Sequence, residues 1–207
     1  ICLRTPYSQL QATVDMDMNA FDEVKPGKLM AQLKGALGRS DLFLFAGDAF
    51  PSAMKKKWPF YPMKIEGSFK GNMQQASFSG LKLSLPTAFE LSADGKVGNL
   101  TDLNRLKANV DLNARTYHLD FVTAMFDPSL MQEIRVPSGI GIRGNIQADG
   151  SRYATRLAIT EGRGRMKVDA KIDAKTRKDG SIDMNRLAYQ AKIQAHNIQA
   201  KHFLPKQ

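Results

Sequence analysis

The run Leu106-Lys-Ala-Asn-Val-Asp-Leu-Asn-Ala-Arg115 alternates apolar and polar residues without a break. A period of two is typical of a β-strand with one apolar face and one face in water. Strands of a parallel sheet are buried on both faces and read as continuous apolar runs. The run therefore predicts a long strand in an antiparallel sheet.

The same alternation recurs at residues 12–20, 140–149 and 166–173. Turn chemistry separates some of these runs, because Asp149-Gly150 and Gly162-Arg-Gly-Arg165 are typical of hairpin connections. Together these patterns predict an all-β protein with long antiparallel strands and short helical inserts.

Two short segments break the alternation and predict the inserts. Residues 40–46 (SDLFLFA) begin with a serine that is a candidate N-cap, and residues 52–58 follow Pro51, a residue type favoured at helix starts. A second pair of this kind lies at residues 119–126 and 129–133. We expect these short helices to connect consecutive strands.

The chain overlays itself after a shift of about 77 residues. Pro51-Ser-Ala-Met54 falls on Pro128-Ser-Leu-Met131, and Pro205 is the third member of the series. Residues 29–37 would also suit a helix when taken alone. Their counterpart at 106–114 alternates strictly, so we predict strands for both.

The repeat unit is strand, strand, helical insert, strand, strand. We predict a single elongated fragment with approximate repeats at residues 10–86, 87–163 and 164–207, the third being truncated. The alternative is a chance similarity between two β-rich halves. Because the chain begins without Met and stops inside the third repeat, we expect it to be an internal piece of a longer protein.

Composition resembles that of ordinary globular proteins and excludes several classes. Of 207 residues, 43% are hydrophobic and 24% are charged, and the formal net charge is +10. The single cysteine, Cys2, excludes an internal disulfide framework and a cysteine-based zinc site. We expect a free thiol there, with N-terminal lipidation as the alternative. No apolar run approaches the roughly 18 residues needed to span a bilayer.

No motif for catalysis stands out. The chain has no phosphate-binding loop, H-E-x-x-H or G-x-S-x-G pattern. The segment Gly139-Ile-Gly-Ile-Arg-Gly144 leads into a strand, so it is not a dinucleotide fingerprint. Asp15 and Asp17 share one strand face, where solvated carboxylates are expected rather than an acid–base pair. We predict a non-enzymatic protein with no catalytic residues, no metal site and no cofactor.

The strongest basic patch is Lys55-Lys56-Lys57, which precedes Trp58. Nucleic-acid binding needs clustered cations with aromatic residues among them for base stacking. Most other Lys and Arg residues alternate with Asp and Glu along outer strand faces, which favours solvation and protection of strand edges. We expect no nucleic-acid partner. The patch is a candidate contact for anionic lipid headgroups or for a neighbouring insert.

Long strands that are apolar on one side cannot leave that side in water. The sheet must close into a barrel, pair with a second sheet, fold into a groove or be covered by helices, and the inserts are too short to cover it. Small residues and ten methionines accompany the large apolar residues, which suits contact with flexible ligands. We predict a curled, half-open apolar groove. Its predicted lining residues are Val14, Met16, Met18, Leu33, Leu91, Leu106, Val110, Leu112, Ile142, Ile146, Leu157, Met166, Val168 and Ile172.

Residues 91–103, 136–144 and 38–42 resemble segments of the AsmA-like and TamB family of Gram-negative envelope proteins. Residues 91–103 (LSADGKVGNLTDL) are similar to a strand-and-turn signature of that family. Residues 136–144 (VPSGIGIRG) resemble the segment that begins one of its strands, and residues 38–42 (GRSDL) resemble the element that precedes its helical insert. The resemblance covers nearly the whole chain and is of the kind found in the large TamB-like proteins of Bacteroidota.

The resemblance implies a β-taco, a half-open β-groove with a continuous apolar interior. It implies a long protein that is anchored in the inner membrane by an N-terminal helix and extends across the periplasm. It also implies phospholipid transport between the two membranes and, with an outer-membrane barrel partner bound through regions outside this chain, assembly or secretion of outer-membrane proteins. We therefore predict a periplasmic segment that binds lipid acyl chains.

Three alternatives stand beside this prediction. The first is a structural scaffold for outer-membrane protein assembly and secretion, with a dry core and with partners bound through exposed strand edges. The others are an adhesin-like secreted repeat and, last, a periplasmic enzyme. We also expect a fragment with a bare groove and two unpaired edges to dimerise through either feature.

Overall fold

The computed structural model describes residues 1–22, 24–47, 50–72, 74–99, 105–124, 137–176 and 182–199. These residues form one antiparallel sheet of eleven strands with three short helices. The strands are β1 (Cys2–Arg4), β2 (Gln9–Met16), β3 (Leu29–Leu37), β4 (Met63–Gly71), β5 (Gln75–Leu85), β6 (Phe89–Gly98), β7 (Lys107–Thr116), β8 (Gly141–Asp149), β9 (Arg152–Glu161), β10 (Gly164–Thr176) and β11 (Ile182–His196). The helices are α1 (Arg39–Ala46), α2 (Ser52–Lys57) and α3 (Asp120–Thr123).

Each strand from β2 to β10 pairs with the strand that precedes it and the strand that follows it in sequence. In the described residues, no pairing joins β1 to β11, so these two strands are the edges of an open sheet. The all-β class with short helical inserts is confirmed, and the open sheet is consistent with a curled groove. None of the described helices has the length and hydropathy needed to traverse a bilayer.

Most predicted strands are confirmed within a few residues. The stretch whose periodicity also suited a helix is strand β3, Leu29–Leu37, as its counterpart indicated. The predicted strand at residues 12–20 is shorter at its C-terminal end, because β2 stops at Met16 and residues 18–21 form a turn. The Asp149-Gly150 and Gly162-Arg163 turns connect β8 to β9 and β9 to β10, as predicted.

Strands β1 and β5 carry no clean alternation. Strand β1 has three residues, too few to show a period. In β5 the register shifts between Phe78 and Leu81, and Gly80 occupies a positive φ of 59°. The Gly80 N–H donates to the carboxylate of Asp94 at 2.7 Å, which holds this bulge against the neighbouring strand.

The helices differ in detail from the prediction. Helix α1 begins at Arg39, and its N-cap is Gly38 in an extended conformation, so Ser40 is not the cap. Helix α2 spans Ser52–Lys57 as predicted, and α3 occupies four residues of the third predicted segment. The predicted helix at 129–133 lies outside the described residues.

Corresponding strands occur at a nearly constant offset. Strands β7 and β8 begin 78 residues after β3 and β4, and β9 begins 77 residues after β5. The proline series at positions 128 and 205 lies outside the described residues. The repeat boundaries themselves stay a prediction.

The buried core sits at one end of the sheet. Its fully or nearly fully buried members are Leu42, Trp58, Leu85, Ala88 and Phe121. These residues come from α1, the segment after α2, the end of β5 and α3, so the inserts fold onto the apolar face at this end. The rest of that face extends beyond the described parts of the inserts.

Candidate functional site

One face of the sheet is built from four continuous rows of apolar side chains. Residues directly opposite each other on antiparallel strands have side chains on the same face. The first row crosses ten strands through Leu10, Gly35, Ile65, Leu83, Leu91, Ala114, Ile142, Ile159, Met166 and Ala195. No polar residue interrupts it.

Three further rows run parallel to the first at two-residue spacing along each strand. The second row is Ala12, Leu33, Gly67, Leu81, Ala93, Leu112, Gly144, Leu157, Val168 and Ile193. The third row is Val14, Ala31, Phe69, Phe78, Gly95, Val110, Ile146, Thr155, Ala170 and Ala191. The fourth row is Met16, Leu29, Gly71, Ala76, Val97, Ala108, Ala148, Tyr153, Ile172 and Tyr189.

These forty positions, named here the apolar floor, cover a large area. At about 4.8 Å between neighbouring strands, nine strand gaps extend about 43 Å along the sheet. Three two-residue steps of about 6.7 Å make the floor about 20 Å wide along the strands. Thr155 is its only aliphatic hydroxyl, and that hydroxyl donates to the Asn145 carbonyl at 3.1 Å. The floor is therefore long enough for an extended chain-like apolar ligand.

Twelve of the fourteen predicted lining residues lie on the apolar floor. The other two, Met18 and Leu106, do not. Met18 lies in the turn after β2 and is fully exposed, and Leu106 precedes β7, where its carbonyl accepts a hydrogen bond from the Gly150 N–H at 2.8 Å. Sequence alternation continued through both positions, but the strands do not.

No predicted lining residue is buried. Leu33, Leu112 and Leu157 are half-buried, and Ile146, Ile172 and others are exposed. Neighbouring side chains in the same sheet shield each residue laterally, but in the described part of the chain no second layer covers the rows. At about 43 Å by 20 Å, the floor is larger than the apolar patch of a few hundred Å² usual on a soluble monomer.

The opposite face is mostly polar and solvated. Asn145 donates from Nδ2 to Asn109 Oδ1 at 2.8 Å and to Asp111 Oδ1 at 2.9 Å, which ties β7 to β8 on this side. The ion pair between Lys34 and Glu66 is long, at 3.9 Å, and exposed, so it contributes little to stability. The two faces therefore differ sharply in chemistry.

Glycines in the floor bring neighbouring strands close together. A Cβ added at Gly144 would lie 2.9 Å from the Leu157 Cα, and one added at Gly67 would lie 3.0 Å from the Leu81 Cα. Real Cβ atoms essentially never come within 3.0 Å of another atom, so Gly144 requires glycine, whereas a Cβ at Gly67 would need Leu81 to shift by a few tenths of an ångström. A glycine inside a strand is typical of tight bending or of close backbone approach, which favours curvature toward the apolar floor.

One border of the floor is a wall of aromatic side chains from the inserts. Phe43, Phe50, Trp58 and Phe121 pack edge to face, with ring centroids 4.9 to 5.8 Å apart. Phe89 at the start of β6 contacts Phe121, which joins the wall to the sheet. The wall forms the closed border of the floor. The described residues place no wall at the opposite border, which we call the open border.

The predicted basic patch lies on this wall. Lys55 is half-buried, and Lys56 and Lys57 are exposed in the last turn of α2. Trp58 is only 5% exposed, so its indole ring is not available for stacking on a base. Trp58 is therefore not the stacking residue that its position beside three lysines suggests in the sequence.

Aromatic residues at the open border of the floor did not appear among the predicted lining residues. Tyr153 and Tyr189 line a recess of about 670 Å³ over the last five strands, together with the predicted residue Ile172. Their signal in the sequence was weak, because alternation in β9 and β11 mixes alanine, glutamine and tyrosine. Aligning those strands by the strand pairing is what places the residues on the apolar face.

The titratable groups of the described residues give two shifted carboxylates and no candidate metal site. Among the described residues, no group of three or more His, Cys, Asp and Glu side chains could hold a metal ion. Hydrogen bonds from the hydroxyls of Ser8 and Thr5 lower the pKa of Asp41. The backbone N–H groups of Lys25 and Val24 lower the pKa of Asp22. Both carboxylates organise turns.

Comparison with protein-family models, with curated proteins and with solved structures found no match to this chain.

Proposed function

We propose that this chain is a non-enzymatic β-groove segment whose apolar floor binds the acyl chains of lipids and shields them from water. The observation that carries the proposal is the continuity of the four apolar rows through ten strands, without a covering layer in the described residues. Exposed apolar surface of this extent is typical of a ligand or protein interaction site.

The energetics of acyl-chain binding suit this surface. Each buried methylene contributes about 0.8 kcal/mol, so one long acyl chain gains roughly 10 kcal/mol before the entropic costs of binding. The floor has few polar groups, so it selects for apolar chains rather than for a particular headgroup. Successive repeats offer similar side chains, and similar affinities along the floor would allow a lipid to move along it.

The cellular role rests on the sequence resemblance alone. As a member of an AsmA-like or TamB-like protein, the chain would be a periplasmic part of a protein anchored in the inner membrane. Its role would then be phospholipid transport between the inner and outer membranes in outer-membrane biogenesis. An outer-membrane barrel protein would bind through regions outside this chain.

The direct test is identification of the lipid that accompanies the purified chain. The protein is extracted with organic solvent and the extract is analysed by mass spectrometry. The groove variant Val110→Asp/Ile142→Asp places two carboxylates on the floor, on β7 and β8. The matched control Asn113→Asp/Gln147→Asp adds the same charge to the polar face of the same two strands.

We expect near-stoichiometric phospholipid with the wild type and the control, and loss of lipid from the groove variant while its circular dichroism spectrum is unchanged. If the folded wild type carries no lipid and binds no apolar dye, the floor is covered by protein and the proposal is wrong. Equal lipid on all three proteins would also overturn it.

A second candidate is a scaffold that binds partners through a strand edge. The observation in its favour is β11, a fifteen-residue edge strand on which Tyr189 is 79% exposed and Ile193 is also exposed. Such an edge presents unpaired backbone groups to an added strand. Its test is cross-linking from a photoreactive residue at position 190, where a partner captured along β11 with a lipid-free floor would favour the scaffold.

A further inference from the structure

A basic and aromatic surface lies beside the apolar floor and is not part of it. Helix α2 carries Lys55, Lys56 and Lys57 in its last turn. Trp58, Pro59 and the two aromatic residues Phe60 and Tyr61 follow the helix. Phe60 is 84% exposed and Tyr61 is 54% exposed, although the neighbouring Trp58 is buried. We name the surface formed by Arg39, Lys55, Lys56, Lys57, Phe60 and Tyr61 the lip.

The lip is held in a defined position. Trp58 anchors it in the aromatic wall, with its ring centroid 4.9 Å from that of Phe121. Arg39 Nη2 donates to the Lys55 carbonyl at 2.8 Å, and the Arg39 guanidinium lies 4.8 Å from the centroid of the Phe60 ring. The exposed Phe60 ring is therefore fixed relative to the lysines of α2.

The lip carries several positive charges. No carboxylate of the described residues forms an ion pair with Lys55, Lys56 or Lys57. The nearest acidic residue of α1, Asp41, accepts hydrogen bonds from Thr5 and Ser8 on the β1–β2 turn. The lip thus presents positive charge next to two exposed aromatic rings.

This combination fits the surface of an anionic membrane. Aromatic side chains are enriched at the membrane–water interface, and clusters of Lys and Arg bind anionic phospholipid headgroups. Trp58 is buried, whereas Phe60 and Tyr61 are exposed. A single-stranded oligonucleotide is therefore the competing partner that the test below must exclude. Tyr61 also lies two residues before Met63, where β4 begins at the closed border of the floor.

We propose that the lip docks this chain on a membrane surface rich in anionic phospholipids, with Phe60 and Tyr61 at the interface and Lys55–Lys57 among the headgroups. Docking would bring the closed border of the apolar floor to the bilayer. The inference concerns where the chain meets a membrane and stands whether or not the floor binds acyl chains.

Vesicle flotation tests the proposal. The purified chain is mixed with phosphatidylcholine vesicles or with phosphatidylcholine vesicles that contain phosphatidylglycerol. The charge variant is Lys56→Glu/Lys57→Glu, and its matched control is Lys167→Glu/Lys171→Glu on the polar face of β10. The aromatic variant is Phe60→Ala, with Phe21→Ala in the turn after β2, outside both the floor and the lip, as its control. All four substituted lysines and both aromatic residues are exposed, so folding is expected to persist.

We expect the wild type to float with the anionic vesicles and much less with phosphatidylcholine alone. The charge variant should lose about 10-fold or more in partitioning, and added salt should weaken wild-type binding. Phe60→Ala should lose about threefold or more, from the apolar area of its ring, while both controls stay within twofold of the wild type.

Three results would overturn the proposal. The first is wild-type binding that does not depend on anionic lipid, and the second is an equal loss in the charge variant and its control. The third is tighter binding of the lip to a single-stranded oligonucleotide or an acidic protein, with no flotation. The groove variant Val110→Asp/Ile142→Asp separates the two proposals, because it should float normally while it loses extracted lipid.

Discussion

The indole ring of Trp58 packs edge to face on the phenyl ring of Phe121, with ring centroids 4.9 Å apart. The first residue follows α2 and the second lies in α3, so this contact joins the insert between β3 and β4 to the insert between β7 and β8. Strands β4, β5, β6 and β7 lie between the two inserts in the sheet. Their packing therefore links distant parts of the chain at one border of the floor.

The Trp58–Phe121 contact leads to a prediction about stability. Trp58→Ala should lower the free energy of unfolding by about 3–5 kcal/mol, because it removes a large side chain from the buried core. A double-mutant cycle with Phe121→Leu should give a coupling of about 0.5–1.5 kcal/mol for the edge-to-face pair. Urea unfolding followed by circular dichroism measures both quantities.

The matched control for this prediction is Phe60→Ala, which truncates an exposed aromatic residue two positions away. It should change the free energy of unfolding by no more than about 0.5 kcal/mol. A similar loss at both positions would mean that the aromatic wall is not the stabilising core described above.

The floor glycines lead to a second prediction. Gly144→Val should lower the free energy of unfolding by about 1–3 kcal/mol, since the new Cβ would meet the Leu157 backbone and force the two strands apart. Uptake of an apolar fluorescent dye should fall in the same variant if curvature of the floor is needed for binding. Thermal unfolding and dye titration are the measurements.

Gly47→Ala serves as the control for Gly144→Val. At this helical position the nearest atom to an added Cβ is the Lys55 Nζ at 3.6 Å, an ordinary contact. The change should be neutral or stabilise the chain by up to about 1 kcal/mol. A neutral Gly144→Val would show that β8 and β9 have room to separate.

Asp41 leads to a prediction about pH. Hydrogen bonds from Ser8 and Thr5 lower its pKa in the folded chain, so its contribution to stability is present above the unfolded value near 3.9 and is lost as the pH falls through the folded value. Asp41→Asn should therefore flatten the decline in stability of the wild type at acidic pH. Urea unfolding at a series of pH values tests this.

Ser8→Ala provides a second variant at the same site. It removes the donor with the largest effect on the Asp41 pKa, so its acid dependence should lie between those of the wild type and Asp41→Asn. Superimposable pH profiles for all three proteins would contradict the assignment.

The exposed end of the apolar floor leads to a prediction about self-association. Tyr189→Lys/Ile193→Lys should abolish concentration-dependent association of the isolated chain, because both residues place exposed apolar surface on the edge strand β11. Sedimentation velocity over a range of concentrations is the measurement. Gln190→Lys/Gln194→Lys adds the same charge to the opposite face of β11 and should leave association intact. Equal loss in both variants would indicate pairing through the strand edge.

Much of the fold could be predicted from the sequence because strand geometry is local. Successive side chains point to opposite faces of a strand, so the alternation around Val110 determines which residues share a face before any partner strand is known. The same logic placed Leu33, Leu112 and Ile142 on one surface. It failed at Met18, because the chain turns after Met16 while the alternation continues.

Other features depend on residues far apart in sequence and needed the folded chain. Gly80 interrupts the period of β5, and only the register with β6 shows that Phe78 and Leu81 still share a face. The sequence places Trp58 beside three lysines, where it would suit a binding surface. Its burial depends on Phe121, which only tertiary packing brings near.

The sequence by itself determined the strands, their antiparallel class and the apolar face, since each follows from local backbone geometry and side-chain polarity. The tertiary structure decided which rows stay uncovered and which aromatic residues of the inserts are buried. Burial is a property of contacts between distant segments, so the period of a strand carries no information about what packs on it.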